Sequence, residues 1–203
     1  MNPTSKTKIH SLILSAGLSG RMKKFKPLAI YKGKTFIHNI ILKLNSVCEK
    51  IFVVTGFNSD KLKEEITKTF SNEKEILGKL NFIYNESYEQ GMFTSLQKGI
   101  SSASDCDWLL YHFVDQPGLP KNFYGEFVKQ INSEHNWIQP TNKNRNGHPI
   151  LLGKDLFELI IKSSPDTSLR DINKNPLVKR KFWECDYKEI FQDIDTEDDY
   201  FKI

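Results

Sequence analysis

Cysteine is scarce and poorly spaced for chemistry. Cys48, Cys106 and Cys185 are odd in number and far apart, so the chain has no CxxC pair and no zinc knuckle and is expected to carry reduced, buried thiols. Long apolar runs are missing too: stretches such as Trp108 to Val114 stop well short of the roughly 20 residues that cross a bilayer. Lys6 and Lys8 followed by Ile9 to Gly17 have the outline of a secretory leader, but His10 and Ser11 interrupt it and more basic residues follow at once. A cytoplasmic chain with no membrane partner is expected. The glycine-rich nucleotide fingerprints are incomplete. Gly33-Lys34-Thr35 would close a Walker loop, yet the position that must be glycine is Leu28, and Gly17-Leu18-Ser19-Gly20 lacks the paired glycine of a dinucleotide fold. His10, His38, His112 and His135 show no ligand spacing, which argues against a histidine metal site. No internal repeat or low-complexity linker divides the chain, so one domain over residues 1–203 is expected.

What is present suits a folded domain. Apolar residues make up 38% and aromatics 12% of the chain with a formal charge of +4, which excludes a disordered or fibrous protein. The charge is uneven. Arg21 to Lys34 holds six positive residues and no acid, whereas Asp186 to Asp199 holds seven acids against Lys188. Such runs are ordinarily solvated surface. The basic residues are gathered in one loop rather than spread with aromatics over a face, so no nucleic-acid partner is expected.

Short β-rich apolar runs occur at Ile9 to Leu14, Ile51 to Thr55, Leu80 to Tyr84 and Trp108 to Val114. Each precedes a stretch with helical spacing: Phe36, Ile37, Ile40, Ile41 and Leu44; then Leu62, Ile66 and Phe70; then Met92, Leu96 and Ile100; then Phe123, Phe127 and Ile131. This alternation predicts an α/β fold, a three-layer, mostly parallel Rossmann-like sheet with helices on both faces, because each parallel connection needs a crossover long enough to hold a helix. Ligands then sit beyond the carboxyl ends of the strands. After Trp137 the pattern loosens into a loop at Asn142 to Gly147, a strand at His148 to Leu152, a helix near Asp155 to Lys162, an extended piece at Val178 to Glu184 and an end at Phe191 to Ile203.

The first strand runs into Leu14-Ser15-Ala16-Gly17-Leu18-Ser19-Gly20-Arg21-Met22-Lys23-Lys24-Phe25-Lys26, a small-residue turn opening into the basic run. Gly17 and Gly20 would let backbone N–H groups approach an anion, and Arg21 and Lys26 add positive charge. The segment resembles the LAAGxSxRMGxxK signature of the molybdopterin cytidylyltransferases and their guanylyl relatives, the MobA-like nucleotidyltransferases. Leu14, Ala16, Gly17, Ser19, Arg21, Met22 and Lys26 match; Ser15 and Lys23 depart from it. Gly91-Met92-Phe93-Thr94-Ser95-Leu96 with Gly99 resembles GMxxSLxxG, Asp115-Gln116-Pro117 resembles DQP, Gly147-His148-Pro149-Ile150-Leu151-Leu152 resembles GHPVLF, and Asp193 to Asp198 resembles DIDTPED. The five motifs stand in the family's order along essentially the whole chain.

That resemblance implies transfer of CMP from CTP to the phosphate of a molybdopterin-type acceptor, with pyrophosphate leaving and Mg2+ as cofactor. A phosphate monoester has its second pKa near about 6, so it is ionised at neutral pH and needs no strong base. The catalytic set would be Arg21 on the β and γ phosphates, Lys26 at the α-phosphate, and Asp115 and Asp195 as metal ligands. Asp193 and Asp195 alternate along an extended segment, so one of them joins Asp115 easily; the family motif selects Asp195. Nucleotide binding would fall to Leu14, Ser15, Ala16, Gly17, Ser19, Gly20, Arg21, Lys26, Gly91 and Ser95, and acceptor binding to Gly147, His148 and Arg170. In the family LAAG accompanies cytidine and LAGG guanosine, so Ala16 favours CTP over GTP. Ser95 could equally serve the local helix backbone, His148 could equally be a hydrogen-bonded structural histidine, and Asp115 a turn residue before proline. Pro165 to Arg170 keeps the acid and the arginine of the family's GDxGAR but neither glycine. The expected molecule is a monomer, with a molybdoenzyme as the product's recipient. The alternatives are transfer of GMP to the same cofactor, nucleotidyl transfer to a sugar or alcohol phosphate, and, outside enzymes, a chaperone for a pterin cofactor.

Overall fold

The computed structural model describes residues 7–202 apart from 19 and 23, and leaves the side chain of Arg21 outside the description. In chain order the elements are β1 (Ile9–Ser15), β2 (Ile30–Tyr31), β3 (Lys34–Thr35), α1 (Phe36–Leu44), β4 (Lys50–Thr55), α2 (Ser59–Thr69), α3 (Lys74–Lys79), β5 (Leu80–Tyr84), α4 (Met92–Ala103), β6 (Trp108–Phe113), α5 (Lys121–Val128), β7 (Trp137–Asn142), β8 (Arg145–Asn146), β9 (Ile150–Gly153), α6 (Phe157–Lys162), α7 (Leu169–Ile172), β10 (Arg180–Glu184) and α8 (Glu197–Phe201). The main sheet runs β10-β7-β9-β6-β1-β4-β5, with β8 paired to the end of β7. β1 lies parallel to both β4 and β6, and β5 and β10 are parallel to their neighbours.

Period-two alternation along the strands divides the core into two layers. Ile13, Ile51, Val53 and Leu110 turn to the face covered by α1, α2 and α5. Their neighbours Leu12, Leu14, Phe52, Val54, Leu109 and Tyr111 turn to the face covered by α4, α6 and α7. Strands buried on both faces read as continuous apolar runs, which is why β1, β4 and β6 were visible in the sequence. Gly99 of α4 crosses β1 so closely that a Cβ there would lie 2.4 Å from Leu12 Cδ1. That motif glycine is therefore demanded by helix–sheet contact.

The second half departs from expectation. β7 was not anticipated, because Pro140 and the polar Gln139, Thr141 and Asn142 disguise it and proline within a run argues against a strand. The segment expected as a loop at 142–147 is a tight hairpin: Lys143 and Asn144 have φ of 50° and 62°, a two-residue turn joining β7 to β8. The strand expected at His148 to Leu152 begins at Ile150, ends at Gly153 and runs antiparallel to β6 and β7. α5 ends at Val128, before Ile131, and β6 ends one residue before Val114. β10 begins at Arg180 rather than Val178. Among the described residues, no helix is long and apolar enough to cross a membrane. All three cysteines are buried and free.

Candidate active site

From β1 the chain proceeds through β4 and β5 on one side, then returns to form β6 on the other side of β1. The connections leaving β1 and β6 therefore diverge, and a crevice opens at the carboxyl ends of these two strands. Leu14, Ser15, Ala16 and Gly17 from β1, Lys26 from the basic loop and Asp115 after β6 line a cavity of about 220 Å³ there.

Lys26 is the centre of its electrostatics. Its ammonium is paired with Asp195 and lies 3.6 Å from Asp115 Oδ2. The segment that brings Asp195 in is tied to β6 by backbone: the N–H of Ile194 donates to the carbonyl of Asp115 at 3.0 Å. Burial pushes the Asp115 carboxyl up to about 6, against the pull of Lys26 and with the help of Asp193 and Asp195. Asp115 Oδ1 is buried with no hydrogen-bond partner among the described residues. Asp193 is turned elsewhere, its Oδ1 accepting from Gln116 Nε2 at 2.6 Å. Gln116, itself buried, was not recognised as a holder of this segment, although its place beside Asp115 was the available signal.

Opposite Lys26 stands the start of α4. Gly91 has φ 120° and ψ 165°, a conformation open to glycine and strained for any other residue. Ser95, which lines the same cavity, has Asn85 as its described partner rather than the helix backbone: Asn85 Nδ2 donates to Ser95 Oγ at 2.9 Å and to Thr94 Oγ1 at 3.0 Å. Thr94 instead caps the turn, donating to the carbonyls of Gly91 and Ser87. Asn85 was also missed, though it immediately follows β5 at the same sheet edge. Ser15 Oγ is buried without a hydrogen-bond partner among the described residues. A Cβ at Gly17 or Gly20 would meet no atom of the described residues within 4 Å. Arg21 lies in a 3-10 turn over Gly20–Met22, but its side chain, like Ser19, is outside the described residues.

A second cavity, of about 560 Å³, shares Met92 and Phe113 with the first and brings His148 and Arg170 together. Gly147 is not among its walls. That residue is pressed against the C-terminal segment, where a Cβ would lie 2.6 Å from Ile190. His148 Nδ1 is buried with no hydrogen-bond partner, its ring is 4.6 Å from that of Phe113, and burial pushes its pKa down to about 4. The imidazole is neutral at physiological pH and has donor or acceptor capacity to offer a ligand.

The donor set suits a hard cation. Two carboxylates converge, and one carries a buried oxygen without a hydrogen bond. Among the described residues no group of three or more His, Cys, Asp or Glu is arranged to hold a metal. Protein ligation would thus stop at two acids, which matches an ion that keeps waters and takes phosphate oxygens.

Comparison with known proteins agrees with this architecture. The chain is 28% identical over 194 residues to the molybdenum cofactor cytidylyltransferase of Escherichia coli K12, covering 95% of this chain and 93% of that protein. The crystal structure of Rv0371c from Mycobacterium tuberculosis H37Rv superimposes with a TM-score of 0.77 at 16% identity, covering 98% of each chain. A manganese complex of the same protein gives 0.70 at 14% identity over 97% of each. A nucleotidyl transferase from Methanothermobacter gives 0.77 at 18% identity, over 97% of this chain and 96% of that one. The MobA-like NTP transferase domain matches residues 11–180, and the chain belongs to that family.

Proposed function

We propose that this nucleotidyltransferase moves CMP from CTP to the phosphate of a molybdopterin-type acceptor, releasing pyrophosphate. The observation that carries this is that Lys26 and Asp115 line one crevice at the carboxyl ends of β1 and β6, with Asp195 paired to Lys26. The choice of cytidine and of acceptor is supported by the likeness to the Escherichia coli cytidylyltransferase along nearly the whole chain. Support for a divalent ion comes from the paired carboxylates and from the manganese-bound structural neighbour.

The reaction needs no protein nucleophile. An acceptor phosphate oxygen attacks the α-phosphorus of CTP, a new P–O bond forms, and the bond to the bridging oxygen breaks as pyrophosphate departs. Lys26 holds its charge at the α-phosphate and Arg21 its planar fork at the β and γ phosphates, each countering charge that builds during transfer. Asp115 and Asp195 would hold Mg2+, which when bound neutralises polyphosphate oxygens. The Ala16–Gly17 turn and the Gly91–Ser95 turn flank the base and sugar, with Asn85 fixing the Ser95 hydroxyl. His148 and Arg170 border the adjoining cavity and orient the acceptor; the shared wall of Met92 and Phe113 lets the two substrates meet. The same proposal treats residues 1–203 as one domain acting as a cytoplasmic monomer.

Pyrophosphate release with Mg2+ and a molybdopterin acceptor, compared across CTP, GTP, ATP and UTP, tests this directly. CTP should be preferred; equal rates would remove the cytidine assignment, and a GTP preference would favour guanylyl transfer.

A further inference from the structure

α8 has only five residues, far too few to persist as an isolated helix. Two sets of contacts keep it in place, and they reach opposite sides of the polyphosphate grip. At its start, Thr196 and Asp199 form a capping box, and the Asp199 carboxylate also accepts the backbone N–H of Asp195 at 3.3 Å. The attitude of the Asp195 backbone is thus set from within α8. At its end, Tyr200 packs against a small cluster of Met22, Ala29, Tyr31, Phe36 and Ile194 that belongs to neither main core. Its ring centroid is 6.2 Å from that of Phe36, and the Lys24 ammonium lies 4.5 Å from the Tyr200 centroid.

Met22 and Lys24 matter because of where they sit. Met22, fully buried, closes the 3-10 turn that carries Arg21, and Lys24 precedes Lys26 by two positions. Tyr200 therefore bears on the loop between the two cations assigned to the phosphates, while its neighbour Asp199 holds the backbone N–H of Asp195, whose carboxylate pairs with Lys26.

We infer that Tyr200 is a positioning residue: its ring clamps the phosphate loop through Lys24 and the Met22 cluster, keeping that loop in register with Asp195 so that both grip one polyphosphate. This rests on the nucleotidyl-transfer assignment above and adds to it a residue outside the five sequence motifs. Tyr200 touches no substrate. Its effect falls on the β and γ phosphates, the part of the donor that CMP lacks.

Calorimetric titration of the full chain with CTP, inorganic tripolyphosphate and CMP, each with Mg2+, separates this role from a general contribution to folding. Tyr200→Ala should weaken CTP and tripolyphosphate by about tenfold each and leave CMP within about twofold of the parent. Tyr200→Phe should restore both, since the ring face survives. Lys24→Met, a surface substitution that spares the core, should weaken tripolyphosphate in the same direction and carries the test where Tyr200→Ala fails to fold. Unchanged tripolyphosphate affinity in Tyr200→Ala, or a parallel loss of CMP, overturns the inference. If the unaltered chain binds neither CTP nor tripolyphosphate, the nucleotidyl-transfer assignment itself fails and the inference falls with it.

Discussion

The backbone N–H of Ile194 donates to the carbonyl of Asp115 at 3.0 Å, a bond between the C-terminal segment and the end of β6. Because Asp195 is the next residue, that bond brings its backbone beside Asp115, and both carboxylates reach Lys26. The acid-rich end of the chain and the basic loop near its start are thereby brought to one point.

Lys26→Ala should cut the rate of pyrophosphate release by about 100-fold, as expected for loss of one preorganised charge at the reacting phosphate. It also removes the ammonium that Asp115 and Asp195 share, so chemical denaturation should show the variant to be less stable at neutral pH. Unimpaired turnover would remove Lys26 from the transferring step.

Asp195→Asn and Asp193→Asn should behave differently although two positions separate them. Asp195 pairs with Lys26, whereas Asp193 accepts from Gln116. Titrating activity with Mg2+ and with Mn2+ should show Asp195→Asn requiring far more metal and reaching a lower maximum. Asp193→Asn should keep its metal requirement. A matching shift in both variants would contradict the choice between them.

Gly91→Ala forces a side chain into a backbone conformation with φ 120° and ψ 165°. The strain should cost about 1–3 kcal/mol in urea unfolding and displace the turn that presents Ser95. Stability equal to the parent would mean that the turn relaxes freely.

His112 makes the fold acid-sensitive. Its Nδ1 bonds the Phe113 carbonyl at 2.6 Å, so that nitrogen carries the proton and Nε2 accepts from the Tyr124 hydroxyl at 2.7 Å. Burial pushes its pKa from the ordinary 6.5 down to about 3. Between these values the unfolded chain binds a proton that the folded chain refuses. The contribution is fully present above pH 6.5 and is lost as pH falls toward 3, on the order of 5 kcal/mol over the window. Stability measured against pH should show this decline, and His112→Asn should flatten part of it. A remaining slope is expected from His148, whose pKa burial pushes down to about 4.

Much of this molecule was legible in its residues. β1, β4, β5 and β6 announced themselves as apolar runs, and α1, α2, α4 and α5 as periodic faces, because both patterns arise from neighbours along the chain. Asp115 was identifiable because it follows the apolar run of β6, whereas Lys26 and Asp195 were picked out by the family motifs they resemble. The later strands were harder to see. β7 is interrupted by Pro140 and lies where pairing with β9 and β10 outweighs local preference. Asn85, Gln116 and Tyr200 carried no local sign of their roles, since their partners are remote or lie beyond the motifs.

The sequence alone determined the order and kind of the main elements and the polarity of the two charged runs, which depend on side-chain period and composition. Tertiary structure alone decided that β9 reverses direction, that Gly147 packs on Ile190 rather than lining the second cavity, and that Lys26 meets Asp195 across 169 positions. Those outcomes depend on loop closure and on sheet order, in which contacts far apart in the chain compete for the same space.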